Sequence, residues 1–253
     1  MIVKSGEKVQ LVPDYKPTTL LFTLVSGHYE GELTCNTSPD VWTVFQTNFN
    51  SLTVGTIMPH DSNAVATTAT LPVTVNNAPV EVIVDEGNIA IQFNAKSKLK
   101  SNVHGSFYEN GLTIEIAVKF NVQYTGEVVK KQGYALHKLG ETQMQFKVRT
   151  TTEEQPVLPF MLVSPELLHF IGLLYSVDDD VMKVFIDGQE VASTNAKGPI
   201  MESNPALNIG AHTSTVGFVL HYLHVNRRAK TQHEMENPYP CKCCNRCWGY
   251  LIL

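Results

Sequence analysis

Apolar and polar residues alternate with a period of two through most of the chain. Successive side chains of a strand point to opposite faces, so this pattern predicts strands with one buried face. Turn sequences such as Asn76-Asn77, Glu86-Gly87-Asn88 and Asp187-Gly188 separate these segments and predict hairpins. The predicted strands are residues 8–12, 19–25, 41–46, 71–75, 80–84, 89–93, 112–120, 127–131, 143–149, 167–177, 182–186, 206–209 and 218–225.

Many short strands at regular spacing are typical of a β-sandwich or a β-barrel, and helical periodicity is weak and confined to the C-terminal region. The chain has 253 residues, of which 43% are hydrophobic, so it can bury a sizeable core. Charged residues make up only 17%, so surface polarity must come largely from Thr, Ser, Asn and Gln. The sequence therefore predicts an all-β protein.

The region 182–191, Met-Lys-Val-Phe-Ile-Asp-Gly-Gln-Glu-Val, resembles a hairpin of laminin G-like and pentraxin-like jelly rolls. Segments 168–175, 206–210 and 217–229 resemble the strands around that hairpin in the same order, and His233-Glu234-Met235 falls at the family's short exit helix. The earlier segments 89–93, 111–119 and 133–136 resemble further strands of the family.

The chain is thus similar to the concanavalin A-like lectin and glucanase superfamily over residues 88–236. The resemblance implies a concanavalin A-like jelly-roll β-sandwich. Residues 1–87 are then an N-terminal β-rich extension, or added strands, with a loop rich in Thr and Asn, and residues 237–253 form a Cys-rich tail.

Several polar residues have a structural interpretation from their position alone. Asp187 and Gly188 are predicted to form the hairpin turn, and His169 to be a packed, hydrogen-bonded residue within a strand. His221 and His224 lie three positions apart on one predicted strand, so they should face opposite sides and not bind one metal ion unless a bulge intervenes.

Catalytic motifs are not evident, so we expect a protein that is not an enzyme. Glycosidases of this fold place carboxylates on one strand as Glu-x-Asp-x-x-Glu, and the acidic residues of segment 81–86 have a different spacing. A carboxylate pair assembled from distant strands stays open. The chain also lacks a Gly-x-Ser-x-Gly elbow and a phosphate-binding Gly-rich loop followed by Lys-Ser or Lys-Thr.

The C-terminal tail carries four of the five cysteines: Cys241, Cys243, Cys244 and Cys247. A two-residue gap between thiols is favoured at zinc sites, so these four are candidate metal ligands with zinc as the candidate metal. Four thiols within one short segment would strain the tetrahedral coordination of a single zinc ion. The zinc site considered is therefore one formed by three of these thiols and a His. Disulfides within the tail or between subunits, and free packed thiols, are two further interpretations of the same four residues.

Carbohydrate-binding residues are not located by any motif. Tyr29, Trp42, Tyr108 and Tyr124 are candidate aromatic platforms by residue type only. The run 178–180, Asp-Asp-Asp, has the composition of a calcium site, but a solvated turn between two strands is the favoured interpretation.

The formal net charge is −5, and basic residues cluster only at 227–230, so nucleic-acid binding is disfavoured. Neither a signal-type apolar segment at the N-terminus nor a membrane-spanning stretch is apparent, so we expect synthesis in a cytoplasm without membrane insertion. The favoured function is a structural or adhesive virion component of a phage: a capsid decoration, fibre or tail-associated subunit. It would contact other virion subunits or itself, as a homo-oligomer. The alternative is a lectin module that binds cell-surface glycans, and a glycan hydrolase is less favoured.

Overall fold

The computed structural model describes residues 43–47, 49, 52, 54–57, 73–76, 78–94, 96–102, 108, 110–152, 155–201, 206–210 and 216–236. The strands predicted at 8–12 and 19–25 lie outside the described residues. Cys241, Cys243, Cys244 and Cys247 also lie outside them, so a zinc site there stays a prediction.

Sixteen strands and one short helix form in the part of the chain that the structure describes. The strands are β1 (Thr43–Gln46), β2 (Gly55–Ile57), β3 (Val73–Asn76), β4 (Val80–Asp85), β5 (Asn88–Phe93), β6 (Lys98–Asn102), β7 (Gly111–Phe120), β8 (Gly126–Lys131), β9 (Tyr134–Lys138), β10 (Gln143–Val148), β11 (Val157–Met161), β12 (His169–Ser176), β13 (Val181–Ile186), β14 (Gln189–Asn195), β15 (Ala206–Ile209) and β16 (Phe218–Asn226). The helix is α1 (Gln232–Glu236).

The strands form two antiparallel sheets packed face to face, which confirms the predicted all-β sandwich. The large sheet has the order β14-β13-β12-β7-β16-β5-β4-β2, and β1 pairs with the second half of β16. The small sheet has the order β11-β10-β9-β8-β15-β6-β3. Strands β1 to β4, which precede residue 88, pair with strands of both sheets.

Strand β7 shows why the period of two produces this packing. Leu112, Ile114, Ile116 and Val118 occupy alternate positions, are fully buried and join the core between the sheets. At one end of the core the rings of Phe93 and Phe218 stack with their centroids 4.4 Å apart. Burial of alternate residues from both sheets is the main source of stability in such a sandwich.

The helix and the hairpin predicted near the C-terminus are both present. Asp187 and Gly188 have φ angles of 52° and 83°, as a tight hairpin turn requires. Helix α1 places Met235 against Leu174 and Phe185 on the outer face of the large sheet. Gly172 makes room for it, since a Cβ there would lie 2.5 Å from the Met235 Cε.

Strands β2, β6, β9, β11 and β14 have no counterpart among the strands predicted from alternation, although the family resemblance covers β9 at 133–136 and the start of β14 in the hairpin 182–191. Strand β6, Lys-Leu-Lys-Ser-Asn, has only one large apolar residue, and β14 is mostly exposed, so neither carries a strong hydrophobic signal. Strands β11 and β14 are sheet edges. Pro159 in β11 suits such an edge, because proline cannot donate to the ladder. Among the described residues, no helix is long and apolar enough to cross a membrane.

Candidate functional site

A groove lies at one end of the large sheet, where β5 and β7 end and β16 begins. Its volume is about 410 Å³. It is lined by Gln92, Phe93, Asn94, Lys119, Phe120, Asn121, Glu166, Val216, Gly217, Phe218 and Val219. Four of its polar residues, namely Gln92, Asn94, Asn121 and Glu166, are exposed to solvent.

The strand register builds this groove. Val219 pairs with Gln92 on one side and with Lys119 on the other, so these three residues form a row across the outer face of the sheet. Gly217 lets the start of β16 approach β5 closely, since a Cβ there would lie 1.5 Å from the Phe93 carbonyl oxygen. Any larger residue at position 217 would push the strands apart at the groove.

Two amides at the rim are held by hydrogen bonds to the backbone. The Asn94 Nδ2 donates to the Pro79 carbonyl at 3.2 Å, and the Asn121 Oδ1 accepts from the Gln123 amide at 3.0 Å. The backbone nitrogen of Asn94 also donates to the Ser97 Oγ at 3.1 Å. The rim is therefore partly preorganised, which lowers the entropy cost of binding a ligand.

Lys119 links the groove to a charged cluster at the tip of the β4–β5 hairpin. Its Nζ lies 3.0 Å from the Asp85 carboxylate and 3.2 Å from that of Glu86. Asp85 also pairs with the His221 Nε2 at 2.8 Å. Burial raises the pKa of Asp85, but the hydrogen bonds from Lys119 and His221 outweigh it, so this pKa is lowered.

A second charged cluster lies on the same face, around Glu115. The Lys230 Nζ is 2.7 Å from both Glu115 oxygens, and the His224 Nδ1 is 2.9 Å from one of them. The side chain of Glu115 is only 3% exposed. Burial raises its pKa, yet the hydrogen bond from His224 and the charge of Lys230 outweigh burial and lower it.

These two clusters do not supply the acid that glycoside hydrolysis requires. A glycosidase needs one carboxyl group with a raised pKa, which stays protonated and donates to the leaving oxygen. Asp85 and Glu115 both have lowered pKa values and are held by cations, so both remain ionised near neutral pH.

The prediction that His221 and His224 face opposite sides is wrong. Strand β16 is irregular between Leu220 and Tyr222, and one extra residue in a strand shifts the alternation that follows it. His221 contacts Asp85 beside Lys119, and His224 contacts Glu115. Lys119 and Glu115 lie four positions apart on β7 and thus on one face, so both histidines lie on that outer face. In the described residues, no cluster of three or more His, Cys, Asp or Glu side chains fits a metal ion.

The aromatic platforms considered from sequence do not reach the described surface. Tyr108 and Tyr124 are 3% and 1% exposed and belong to the core. The Tyr124 hydroxyl donates to the Glu127 carbonyl at 2.6 Å. Tyr29 and Trp42 lie outside the described residues.

His169 and Asp187 form a pair that has a second role besides the turn. The Asp187 carboxylate accepts from the Phe170 amide at 2.9 Å and pairs with the His169 Nδ1 at 2.8 Å. The His169 Nε2 donates to the Ser164 carbonyl at 3.1 Å. The hydrogen bond to Asp187 outweighs burial and raises the pKa of His169. This pair fastens the hairpin to the start of β12, with His169 at the end of the strand and not at its middle.

The aspartates 178–180 behave as a turn between β12 and β13. The Ser176 Oγ donates to the Asp179 carboxylate at 2.7 Å, and the Asp179 amide donates back to that Oγ at 3.2 Å. Asp180 pairs with Lys197 at 3.6 Å. These local bonds account for the position of the carboxylates without a cation.

No protein-family model matches the chain, and no curated protein matches it. Solved structures do match it in fold. One is the binding domain of Paraclostridial Mosquitocidal Protein 1, at 12% identity and a TM-score of 0.58, over 78% of this chain and 51% of that one. Another is the binding domain of botulinum neurotoxin DC in complex with SialylT, at 8% identity and a TM-score of 0.60, over 78% and 50%.

A third is from botulinum neurotoxin type C, whose cell entry depends on interaction with two ganglioside molecules, at 9% identity and a TM-score of 0.57, over 75% of this chain and 51% of that one. At these identities the likeness establishes a shared β-sandwich fold. The chain spans about half the length of the solved domains that it matches. The finer similarity to laminin G-like domains stays a prediction.

Sequence reasoning missed the groove because its polar residues come from distant places in the chain. Gln92, Asn121 and Glu166 are separated by tens of residues and belong to no motif. The sequence gives one signal: Gln92 lies just inside the end of a predicted strand, and Asn121 lies just beyond the end of another. Strand ends are where loops carry binding residues on a rigid scaffold.

Proposed function

We propose that this chain is a glycan-binding module without catalytic activity, and that the groove at the end of the large sheet is its binding site. The observation that carries the proposal is the meeting of amide, carboxylate and ammonium side chains around a cavity of about 410 Å³. Ligand pockets commonly have volumes of a few hundred cubic ångströms. The groove is of the size that holds one or two sugar rings.

The chemistry of the rim suits sugar hydroxyl groups, each of which donates one hydrogen bond and accepts others. The Gln92 amide offers both donors and an acceptor, and the Glu166 carboxylate offers acceptors. Lys119 offers donors, although its ammonium is shared with Asp85 and Glu86. Gly217 lines the groove with backbone alone, since it has no side chain.

The fold likeness supports the choice of ligand class. Solved structures of the same fold include a binding domain in complex with SialylT and a neurotoxin whose cell entry depends on interaction with two ganglioside molecules. Those chains are about twice as long as the matched part, so they suggest the compounds to test first and not the position of a site. Sialylated oligosaccharides are therefore the first probes.

The test is binding of the full chain to an array of oligosaccharides, followed by titration calorimetry with the best ligand. We expect Gln92→Ala and Glu166→Ala to weaken binding at least tenfold, because each removes exposed hydrogen-bonding groups of the rim. The matched control is Gln143→Ala, an exposed position of β10 on the small sheet, which should bind as the parent chain does. Binding that survives both groove substitutions would exclude the groove, and failure to bind any oligosaccharide would exclude the function.

The role as a phage virion subunit, which the sequence favoured, stays a proposal. It predicts a stable homo-oligomer of the purified chain, or its capture by other virion subunits. Light scattering of the purified chain tests the first of these directly.

A further inference from the structure

The outer face of the small sheet carries a straight row of lysines that are far apart in the sequence. Lys100 of β6, Lys130 of β8 and Lys147 of β10 belong to separate segments of the chain. The strand register aligns them: Lys100 pairs with Asn208, Asn208 with Lys130, Lys130 with Ala135, and Ala135 with Lys147. We call Lys100, Lys130 and Lys147 the lysine row.

All three side chains of the lysine row point away from the core. Their neighbours along the strands, Leu99, Val129 and Phe146, are fully buried members of the core. Alternation then places the lysines on the opposite face. Lys100 and Lys130 are exposed, and Lys147 is half-buried.

The spacing in the row is regular. One strand separates each lysine from the next, and neighbouring strands lie about 4.8 Å apart, so successive lysines are about 10 Å apart at their backbones. That distance corresponds to one disaccharide of an extended polysaccharide. Asn208 and Ala135, which lie between the lysines, have short side chains; Asn208 is half-buried and Ala135 is 7% exposed.

The charge of the sheet reinforces the row. Four of the six lysines in the seven strands lie on the outer face, namely Lys98, Lys100, Lys130 and Lys147, while Lys131 and Lys138 are buried. The strands hold a single acidic residue, Glu127, which pairs with Lys130. The outer face of this sheet therefore carries more lysines than acidic residues, in a chain whose formal net charge is −5.

His137 lies close enough to these lysines for their charges to affect its pKa, although burial is the largest cause of the shift. His137 pairs with Gln145 and Glu127 in the next row of the same face. Burial lowers its pKa, and the charges of Lys147 and Lys130 lower it further against the effect of Glu127. An anion bound along the row would oppose these lysines and raise the pKa of His137.

We propose that the outer face of the small sheet binds an acidic polysaccharide, with sulfate or carboxylate groups placed along the lysine row. The proposal goes beyond the groove, which lies on the other sheet, and holds whether or not the groove binds a sugar. Single-stranded nucleic acid fits less well. Its binding proteins stack bases on aromatic side chains, and the positions between the lysines hold Asn208 and Ala135.

The test is titration of the full chain with heparin, and with chemically desulfated heparin as the comparison. Heparin should bind with an affinity that falls steeply as salt rises, while desulfated heparin should bind at least tenfold more weakly. Lys130→Gln and Lys147→Gln should each weaken heparin binding about fivefold, and the double variant about 25-fold. Both positions face solvent, so these variants should keep the melting temperature of the parent chain.

Two controls distinguish this face from the groove. Lys197→Gln removes an exposed lysine elsewhere and should leave heparin binding unchanged. Gln92→Ala should also leave it unchanged, so failure of the groove proposal and failure of this one give different results. In an NMR titration the His137 ring should show a raised pKa when heparin is present, and this rise should disappear in the double variant.

Equal binding of heparin by the double variant and the parent chain would overturn the proposal. So would equal affinity for desulfated heparin. Tighter binding of single-stranded DNA, or of vesicles containing phosphatidylserine, with the same dependence on Lys130 and Lys147 would assign the face to another class of partner.

Discussion

Charged side chains pair on the outer faces of both sheets, as Lys130 does with Glu127 on the small sheet, but the two faces differ in how far they are covered. On the large sheet the outward residues Thr113, Glu115 and Ala117 are 0%, 2% and 3% exposed. The charged groups there pair with each other, as Glu115 does with Lys230. On the small sheet Lys100 and Lys130 are exposed. An outward-facing residue of a strand contributes to stability where another part of the chain covers the sheet. Where the sheet is exposed, the same kind of residue is available for binding.

The chain that follows β16 covers part of the large sheet. The Thr113 hydroxyl donates to the Arg228 carbonyl at 2.8 Å and accepts from the Lys230 amide at 3.0 Å. Arg228 in turn holds Glu234 at the start of α1, with a nitrogen–oxygen distance of 2.6 Å. Burial raises the pKa of Glu234, but Arg228 and the Thr231 amide outweigh it and lower the pKa to about 2. The covering segment is thus fastened by charge-assisted bonds.

The largest expected effect is at the centre of the covered face. Glu115→Gln removes the charge that balances Lys230 and His224 in a buried position, which should cost about 3 kcal/mol of unfolding free energy. Urea denaturation measures the change. The control is Glu190→Gln at the exposed edge strand, where the pair with Lys183 is worth less than about 1 kcal/mol. Equal losses in the two variants would contradict the division between covered and open charges.

A second effect separates two kinds of lysine within the small sheet. The Lys138 Nζ is buried and donates to the carbonyls of Val122, Tyr124 and Gly140 at 2.9, 3.0 and 2.6 Å. Lys138→Met leaves these carbonyls without their donor and should cost about 2 kcal/mol. Lys130→Met, on the open face, should change stability by less than about 0.5 kcal/mol. Thermal melts of the two variants measure both changes. Similar melting temperatures would contradict the distinction between the buried and the exposed lysine.

A smaller effect concerns pH and the pair of His169 and Asp187. The pKa of His169 is raised above 6.5 in the folded chain, so its contribution is complete below pH 6.5 and is lost as the pH rises through the raised value. Both side chains are partly exposed, so the loss should be below about 1 kcal/mol. His169→Gln should flatten the decline of the urea midpoint that the parent chain shows as the pH rises above about 6.5. A variant that declines as steeply as the parent chain would contradict the assignment.

The smallest effect is expected for the open face. Lys147→Gln should change the unfolding free energy by less than about 0.5 kcal/mol, because its half-buried side chain lies on the outer face and the nearest lysine of the row is about 10 Å away. A loss like that of Glu115→Gln would mean that the small sheet is also covered in solution. Urea denaturation at low and at physiological salt gives the comparison.

Sequence reasoning located the strands with strong alternation and failed where packing decides. Strands β7 and β16 follow from their apolar residues, and the Asp187-Gly188 turn follows from its backbone preference. Alternation did not predict β14, whose start was implied only by the resemblance of 182–191 to a family hairpin, since an exposed edge strand needs only its hydrogen-bonded neighbour. The placement of His221 was wrong because an irregularity in a strand depends on the fit between neighbours, which periodicity does not encode.

The sequence by itself determined the all-β class, the hairpin turns and the absence of a local catalytic motif, while the short helix at His233-Glu234-Met235 was implied by the family resemblance. These follow from interactions among residues close in the chain. Only the tertiary structure decided that Gln92, Lys119 and Glu166 share a groove, and that Lys100, Lys130 and Lys147 share a row. Both sets depend on which strands are neighbours and in which register. Register arises from packing of the whole core, so no single segment carries that information.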